Sequence, residues 1–136
     1  MKGVMMEKIT VNTRDRTSMI DITGEIQNIV SKSDITSGTC FIFVPHTTAG
    51  VTINENADPD VVADIIMELN KIIPFRDNYQ HMEGNSAAHI KTSIAGESKT
   101  VIIENKKLQL GTWQSIFFCE FDGPRRREVW IKLINT

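Results

Sequence analysis

Cysteine is scarce in this chain of 136 residues, which has only Cys40 and Cys119. Each lies in an apolar stretch, TCFIFV or SIFFCEF, where a reduced thiol behaves as a small hydrophobic residue. We therefore expect both thiols in the core rather than in a disulfide framework. A chain of this length can bury enough apolar surface to fold without such crosslinks.

Long hydrophobic runs and an excess of one charge are also missing. No stretch approaches the roughly 20 apolar residues that cross a bilayer, and the N-terminal MKGVMMEKITV has no apolar segment of signal-peptide length. These absences predict a cytoplasmic protein with no membrane partner. Fifteen basic and 17 acidic residues give a net charge of −2, so nucleic acid is not an expected partner either.

The chain contains no repeat, low-complexity segment or interdomain linker, which predicts a single domain over residues 1–136. Strand-like and helix-like segments do not alternate as they would in a parallel doubly wound sheet. We therefore expect an α+β fold with a mixed, mainly antiparallel sheet packed against two to three helices. The predicted segments are a strand at 6–12, a helix containing Met19, Ile22, Ile26 and Ile29 that ends near 31–33, two strands joined by a bend at HTTAG, a helix starting at Asp58-Pro59, a polar loop at 74–85, a short helix at 86–94 stopped by Gly96, and three antiparallel strands after Lys99.

The only three histidines lie where they could share a metal ion. His46 follows a predicted strand, His81 lies in the polar loop, and His89 lies in the next helix. Three protein ligands leave a position open for water or substrate, which is typical of catalytic metal sites. Zinc is the favoured ion, with nickel, manganese or magnesium as alternatives. No HExxH or paired CxxC motif is present, and a lone histidine is more often an ordinary structural residue, so both interpretations stay open.

Three consecutive arginines, Arg125, Arg126 and Arg127, follow the turn at 122–124. Guanidinium groups bind phosphate or carboxylate through paired hydrogen bonds, although such a cluster is also common in a solvated turn. We expect Arg125 to be the main anion ligand, because successive side chains of the strand leaving the turn point to opposite faces. Lys91 on the short helix is a second candidate for the same anion.

Several segments of the sequence resemble the YjbQ family, whose members are sometimes described as secondary thiamine-phosphate synthases. They are PHTTAGVTINENADPD, YQHMEGNSAAHIKTS, LGTWQSIFFCEFDGPRRR and the terminal strand, and they occur in the family's order. Together they cover nearly the whole chain and include all three histidines. The resemblance implies a small α+β domain that assembles as a homotrimer and holds a metal ion in a cleft.

The resemblance also implies roles for particular side chains. The implied metal ligands are His46, His81 and His89, and the implied catalytic carboxylates are Glu83 and Glu120. Asn54, Gln114 and Arg125 are implied to face the substrate, and Asn85, Ser86 and Lys91 are further substrate-binding candidates beside the histidines.

The implied activity is that of a transferase of thiamine biosynthesis, which joins hydroxymethylpyrimidine diphosphate to thiazole phosphate and releases pyrophosphate. Arginines and a divalent ion would stabilise the leaving diphosphate as its charge develops. Two other functions stay open. One is metal-dependent hydrolysis of a small phosphorylated or ester substrate with Glu83 or Glu120 as general base, and the other is a non-catalytic trimer that binds an anionic metabolite.

Overall fold

The computed structural model describes residues 4–136, so the first three residues of the predicted domain lie outside the described part. The described elements are β1 (Val4–Asn12), β2 (Ser18–Asp21), α1 (Thr23–Lys32), β3 (Gly38–Phe43), β4 (Ala49–Glu55), α2 (Pro59–Ile72), α3 (Ser86–Ala95), β5 (Ser98–Glu104), β6 (Lys107–Leu108), β7 (Gln114–Glu120) and β8 (Arg126–Asn135). Every pairing among these strands is antiparallel. The expected α+β class with a mainly antiparallel sheet is confirmed.

The strands form two sheets that share one hydrophobic core. The larger sheet has the order β1-β8-β3-β5-β6, and the smaller has the order β2-β7-β4. Along β3, Cys40 and Ile42 are fully buried while Phe41 is exposed, so one face of the larger sheet lies on the core and the other is open. Phe118 of the smaller sheet and Ile26 of α1 complete the same core. Full burial of such a side chain contributes about 1.5 to 3 kcal/mol.

The first predicted helix begins later than its apolar spacing suggested. Met19 lies in β2 and pairs with Cys119 of β7, which corrects its assignment to the helix. The strand passes into α1 where Thr23 N–H donates to Asp21 Oδ1 over 2.9 Å. A buried strand residue three positions before a helix produces the same spacing as one more helical turn. The helix ends at Lys32, as predicted.

The other two helices have the predicted ends. Asp58 accepts a hydrogen bond from Asp60 N–H at 2.9 Å, and Pro59 occupies the first turn of α2. Gly96 follows α3 with a φ of 97°, a conformation that favours glycine. Although α2 has an apolar stripe, none of its residues is fully buried. None of the three described helices is long and apolar enough to cross a membrane.

The predicted C-terminal strands are divided between the two sheets. β5 and β8 both pair with β3, whereas β7 pairs with β2 and β4. The change of sheet follows a tight turn in which Gly111 N–H donates to Gln114 Oε1 over 2.8 Å and Gln114 N–H donates to Gly111 O over 3.1 Å. The three strands predicted after Lys99 are present as β5, β7 and β8, and this turn separates the additional two-residue β6 from β7.

Candidate functional site

A polar pocket of about 470 Å³ lies between the loop after α2, the start of α3 and the turn before β8. We call it the histidine–arginine pocket. Its lining residues are Arg16, Thr47, Thr48, Phe75, His81, Glu83, Gly84, Asn85, His89, Asp122 and Arg125. It therefore contains five of the side chains that the sequence singled out: two histidines, Glu83, Asn85 and Arg125.

His81 and His89 are neighbours in this pocket. Their ring centroids lie 5.4 Å apart and the ring planes are nearly perpendicular, at 86°. The Nε2 atom of His81 is 3.7 Å from Glu83 Oε1. Gly84, with a φ of 79°, makes the turn between the two histidines, and its N–H donates to His81 O over 3.3 Å. The loop thus places an imidazole pair beside an exposed carboxylate.

A hydrogen-bonded group fixes Arg125 at the pocket wall. Its Nη2 is 3.0 Å from Asp122 Oδ2, and its Nε donates to Asp122 O over 3.0 Å. The same Oδ2 atom accepts from Asn85 Nδ2 over 2.9 Å. Asn85 Oδ1 is buried and has no hydrogen-bond partner among residues 4–136. The amide therefore leaves one acceptor free at the border of the pocket.

Arg16, which sequence reasoning missed, supplies the second guanidinium of the pocket. Its Cζ atom lies 3.9 Å from the centroid of the Phe75 ring, a cation–π geometry. No carboxylate in the described chain lies within 4.0 Å of this guanidinium. Arg16 is thus a cation held in place without being neutralised. The only sequence signal was a basic residue in the polar segment between β1 and β2.

His46 lies in a neighbouring pocket of about 520 Å³, which shares Thr47, Thr48 and Arg125 with the histidine–arginine pocket. Its Nε2 accepts a hydrogen bond from Glu128 N–H over 3.0 Å. Burial and the nearby Arg127 lower the pKa of His46 below its ordinary value. Within residues 4–136, no three His, Cys, Asp or Glu side chains are grouped to hold one ion. The chain thus brings together two of the three histidines.

Glu120, predicted to be catalytic, is completely buried in an ion pair with Arg127. Thr13 Oγ1 donates to one carboxylate oxygen over 2.8 Å, and Asp122 N–H donates to the other over 2.9 Å. Burial alone would raise the pKa of Glu120, but these donors and Arg127 hold it below its usual range. Both oxygens are occupied, so the geometry favours a structural role for Glu120 over the expected role of general base.

A family model described as UPF0047 protein YjbQ-like matches residues 7–136. The chain belongs to the YjbQ family. It is 54% identical over 131 residues to a UPF0047 protein of Methanocaldococcus jannaschii, across 96% of this chain and 95% of that one. It is 50% identical over 132 residues to UPF0047 protein YugU of Bacillus subtilis, across 96% and 100% of the two chains.

Solved structures of the YjbQ family have the same fold. A YjbQ/UPF0047 family protein from Clostridium acetobutylicum has 52% sequence identity and a TM-score of 0.92, covering 94% of this chain and 99% of that chain. A YbjQ-like protein from Sulfolobus solfataricus has a TM-score of 0.93 at 32% identity, covering 98% of both chains. These likenesses confirm the fold that the sequence motifs implied.

The remaining candidates lie outside the histidine–arginine pocket of this YjbQ-family chain. Ser86 borders a shallow groove on the other side of His81 and His89. Gln114 closes the turn that precedes β7. Asn54 and Lys91 line a separate cavity beneath α2. Lys91 faces away from the histidine–arginine pocket because it lies two residues after His89 on α3, and residues two apart on a helix point about 200° apart. The short sequence distance between them therefore does not place them on one side of the helix.

The spacing of His81 and His89 suits two ligands of one divalent ion. Two imidazoles bound through nitrogens about 2.1 Å from a tetrahedral ion have ring centroids roughly 5 Å apart, close to the spacing of His81 and His89. The free Asn85 Oδ1 is an oxygen donor of the kind that magnesium and manganese accept. His46 fits less well, because its Nε2 already accepts from Glu128.

Proposed function

We propose that the histidine–arginine pocket is an active site that binds a small phosphorylated substrate and, with a divalent ion, promotes departure or transfer of its phosphate or diphosphate group. The observation that carries this proposal is that Arg16 and Arg125 line the same pocket as the His81–His89 pair. Two guanidinium groups and an imidazole pair that would hold a metal ion line one polar cavity, and they match a ligand with clustered negative oxygens.

The two guanidiniums have different parts in anion binding. Asp122 partly neutralises Arg125 and fixes its orientation through two contacts. Arg16 has no such partner in residues 4–136 and keeps its full charge above Phe75. A planar guanidinium held flat by an aromatic ring can still present paired N–H donors from its edge. Arg16 is therefore the stronger anion ligand, and Arg125, whose orientation Asp122 fixes, orients the bound anion.

The divalent ion would be held by His81, His89 and the free oxygen of Asn85. When bound, it supplies charge that stabilises the developing negative charge on the leaving oxygen. Glu83 is exposed and lies 3.7 Å from His81, so it is the carboxylate in position to exchange a proton with substrate or water. The buried ion pair of Glu120 leaves Glu83 as the general base candidate in this pocket.

Thiamine-phosphate synthesis is the specific reaction that the sequence resemblance suggests for this pocket. Its substrate carries a diphosphate leaving group, whose charge two arginines and a cation would stabilise as it departs. Hydrolysis of a phosphate ester is the second candidate, favoured by the open, polar lining that admits water. Both reactions need the same anion site, and product analysis separates them.

The test is turnover by purified protein supplied in turn with zinc, manganese or magnesium. One assay combines hydroxymethylpyrimidine diphosphate with thiazole phosphate and measures thiamine phosphate and pyrophosphate, and the other measures hydrolysis of para-nitrophenyl phosphate. We expect Arg16→Met to lower kcat/KM in the active assay by roughly 10- to 100-fold, the equivalent of one charge-assisted hydrogen bond. Arg126→Met, an exposed arginine outside the pocket lining, is the matched control and should change it less than twofold.

Absence of turnover with every ion in both assays would overturn the catalytic proposal. The non-catalytic alternative would then be tested by calorimetric titration of pyrophosphate into wild-type and Arg16→Met protein. Equal loss of activity in the Arg16 and Arg126 variants would instead show that the anion site lies elsewhere on this surface.

A further inference from the structure

The cavity beneath α2 that Asn54 and Lys91 line has a volume of about 270 Å³ and shares no lining residue with the histidine–arginine pocket. Its walls come from α2, α3 and the smaller sheet. Most of the lining is apolar, including Met19, Ile65, Leu69 and Phe121. This volume is slightly below the roughly 300 to 1,000 Å³ that is usual for sites of drug-sized ligands, so the cavity suits a small metabolite.

Lys91 borders this apolar cavity and is only 1% exposed, which is rare for a lysine. Its Nζ atom donates to Asn70 Oδ1 of α2. No carboxylate within residues 4–136 is close enough to pair with it. An ammonium has three N–H donors, so one amide oxygen leaves most of its bonding capacity unused. Burial accordingly lowers the pKa of Lys91.

The helix above the cavity is packed lightly. No residue of α2 is fully buried, and Ile65, Ile66 and Leu69 are only half-buried although they face the cavity. An amphipathic helix ordinarily buries its apolar stripe in a well-filled core. A buried cation and an unfilled apolar space therefore meet at one place, and a single ligand with a negative head and an apolar body would satisfy both.

We propose that this cavity binds a small carboxylate with an apolar tail, with the carboxylate on Lys91 and the tail against Leu69 and Phe121. A neutral apolar molecule would fill the space but leave the buried lysine without a counter-charge, which is unfavourable. A phosphate would pair with the lysine but would lose its hydration against apolar walls. An aliphatic or aromatic monocarboxylate meets both demands, and the site is independent of the activity proposed for the histidine–arginine pocket.

The experiment compares two probes of the same length, hexanoate and hexan-1-ol, by titration into protein with labelled isoleucine, leucine and methionine methyl groups. We expect hexanoate to shift the methyl resonances of Met19, Ile65 and Leu69 in a saturable manner. It should bind at least tenfold more tightly than the alcohol. No saturable shift of these methyl groups, or equal affinities for acid and alcohol, would overturn the proposal.

Substitution of the lysine gives a second, separate test. In Lys91→Met the apolar stem is kept and the charge is lost, so the preference for the acid should disappear or reverse. Lys106→Met is the matched control, because Lys106 is a half-buried lysine whose Nζ donates to Ser33 O and which does not line the cavity. A preference that survives in the Lys91 variant would overturn the proposal. Should that variant not fold, the acid and alcohol comparison on wild-type protein still decides.

The Arg16→Met protein distinguishes the two pockets. Hexanoate should bind this variant as it binds wild type, because Arg16 belongs to the histidine–arginine pocket alone. Loss of hexanoate binding in the Arg16 variant would place the carboxylate in the other pocket and overturn the proposal, whatever the outcome of the turnover assays.

Discussion

Arg127 of β8 holds both carboxylate oxygens of Glu120 in β7: its Nε donates to Oε1 over 2.8 Å, and its Nη2 donates to Oε2. The same Nη2 donates to the hydroxyl of Thr48 over 2.8 Å. Because Thr48 lines both polar pockets, one buried ion pair ties the larger sheet, the smaller sheet and the site together. The contacts of this pair support the pocket wall at Thr48.

Removal of the buried carboxylate should destabilise the protein strongly. Glu120→Ala leaves Arg127 buried without a counter-charge, and we expect the free energy of unfolding to fall by about 3 to 5 kcal/mol. Glu83→Ala is the control, because its carboxylate is 75% exposed and should change stability by less than about 0.5 kcal/mol. Urea denaturation followed by circular dichroism measures both. Similar losses in the two variants would contradict the structural role of Glu120.

The ion pair of Glu120 and Arg127 also predicts how the stability of the protein changes at acidic pH. The pKa of Glu120 is lower in the folded chain than the ordinary value of 4.5, so its contribution is fully present above 4.5 and is lost as the pH falls below it. Glu120→Gln cannot ionise and should lose less stability than wild type over this acidic range. The urea midpoint, measured across the range for both proteins, tests this expectation. Identical slopes would show that Glu120 is not the group that titrates.

Both thiols should be unreactive in the folded protein. Cys40 and Cys119 are buried, and burial raises the pKa of each to about 12, so almost no thiolate forms near neutral pH. We expect no reaction with Ellman's reagent under native conditions and reaction of two thiols per chain in urea. Fast native labelling of either residue would show that its surroundings open readily.

Metal binding should depend on the histidine pair. We expect His81→Ala and His89→Ala each to lower the affinity for zinc by tenfold or more, because each removes an imidazole ligand. His46→Gln keeps an acceptor for Glu128 N–H and should leave the affinity unchanged. Calorimetric titration of zinc measures all three. Equal losses in the three variants would instead favour the three-histidine centre predicted from the sequence.

The homotrimer implied by the family resemblance needs an apolar surface, and the open face of the larger sheet supplies one. Phe41, Ile102 and Ile134 share this face and are 37%, 62% and 39% exposed. We expect sedimentation to give three times 15.3 kDa for wild type and a smaller species for Phe41→Lys. Met67→Lys, at an exposed position of α2, should sediment as wild type does. A wild-type monomer at all concentrations would refute the assembly.

Local signals in the sequence were sufficient for much of the fold. The Asp58-Pro59 start of α2 and the glycine stop after α3 depend on a few neighbouring residues, and both were predicted correctly. The position of His46 at a bend was also predicted, because Pro45 interrupts the strand pattern. The assignment of Met19 failed because the spacing of apolar residues cannot distinguish a strand followed by a helix from one longer helix.

The site was harder to predict, since it depends on contacts between distant parts of the chain. The charge of Glu120 is neutralised by Arg127 of the next strand, and its Oε1 also accepts from Thr13, which lies 107 residues away in sequence. The position of Arg16 in the pocket depends on its contact with the ring of Phe75, and no sequence motif connects these two residues. Lys91 was assigned to the wrong cavity because its sequence distance from His89 says little about which side of α3 it faces.

The histidine–arginine pocket and the pocket of His46 share Thr47, Thr48 and Arg125 in their linings. We expect a compound with one anionic group to occupy the histidine–arginine pocket alone, and a longer compound to extend past the threonines towards His46. Thr47 is exposed, whereas Thr48 is buried and its hydroxyl accepts from Arg127, so we expect a larger side chain at Thr47 to exclude long ligands while short ones still bind.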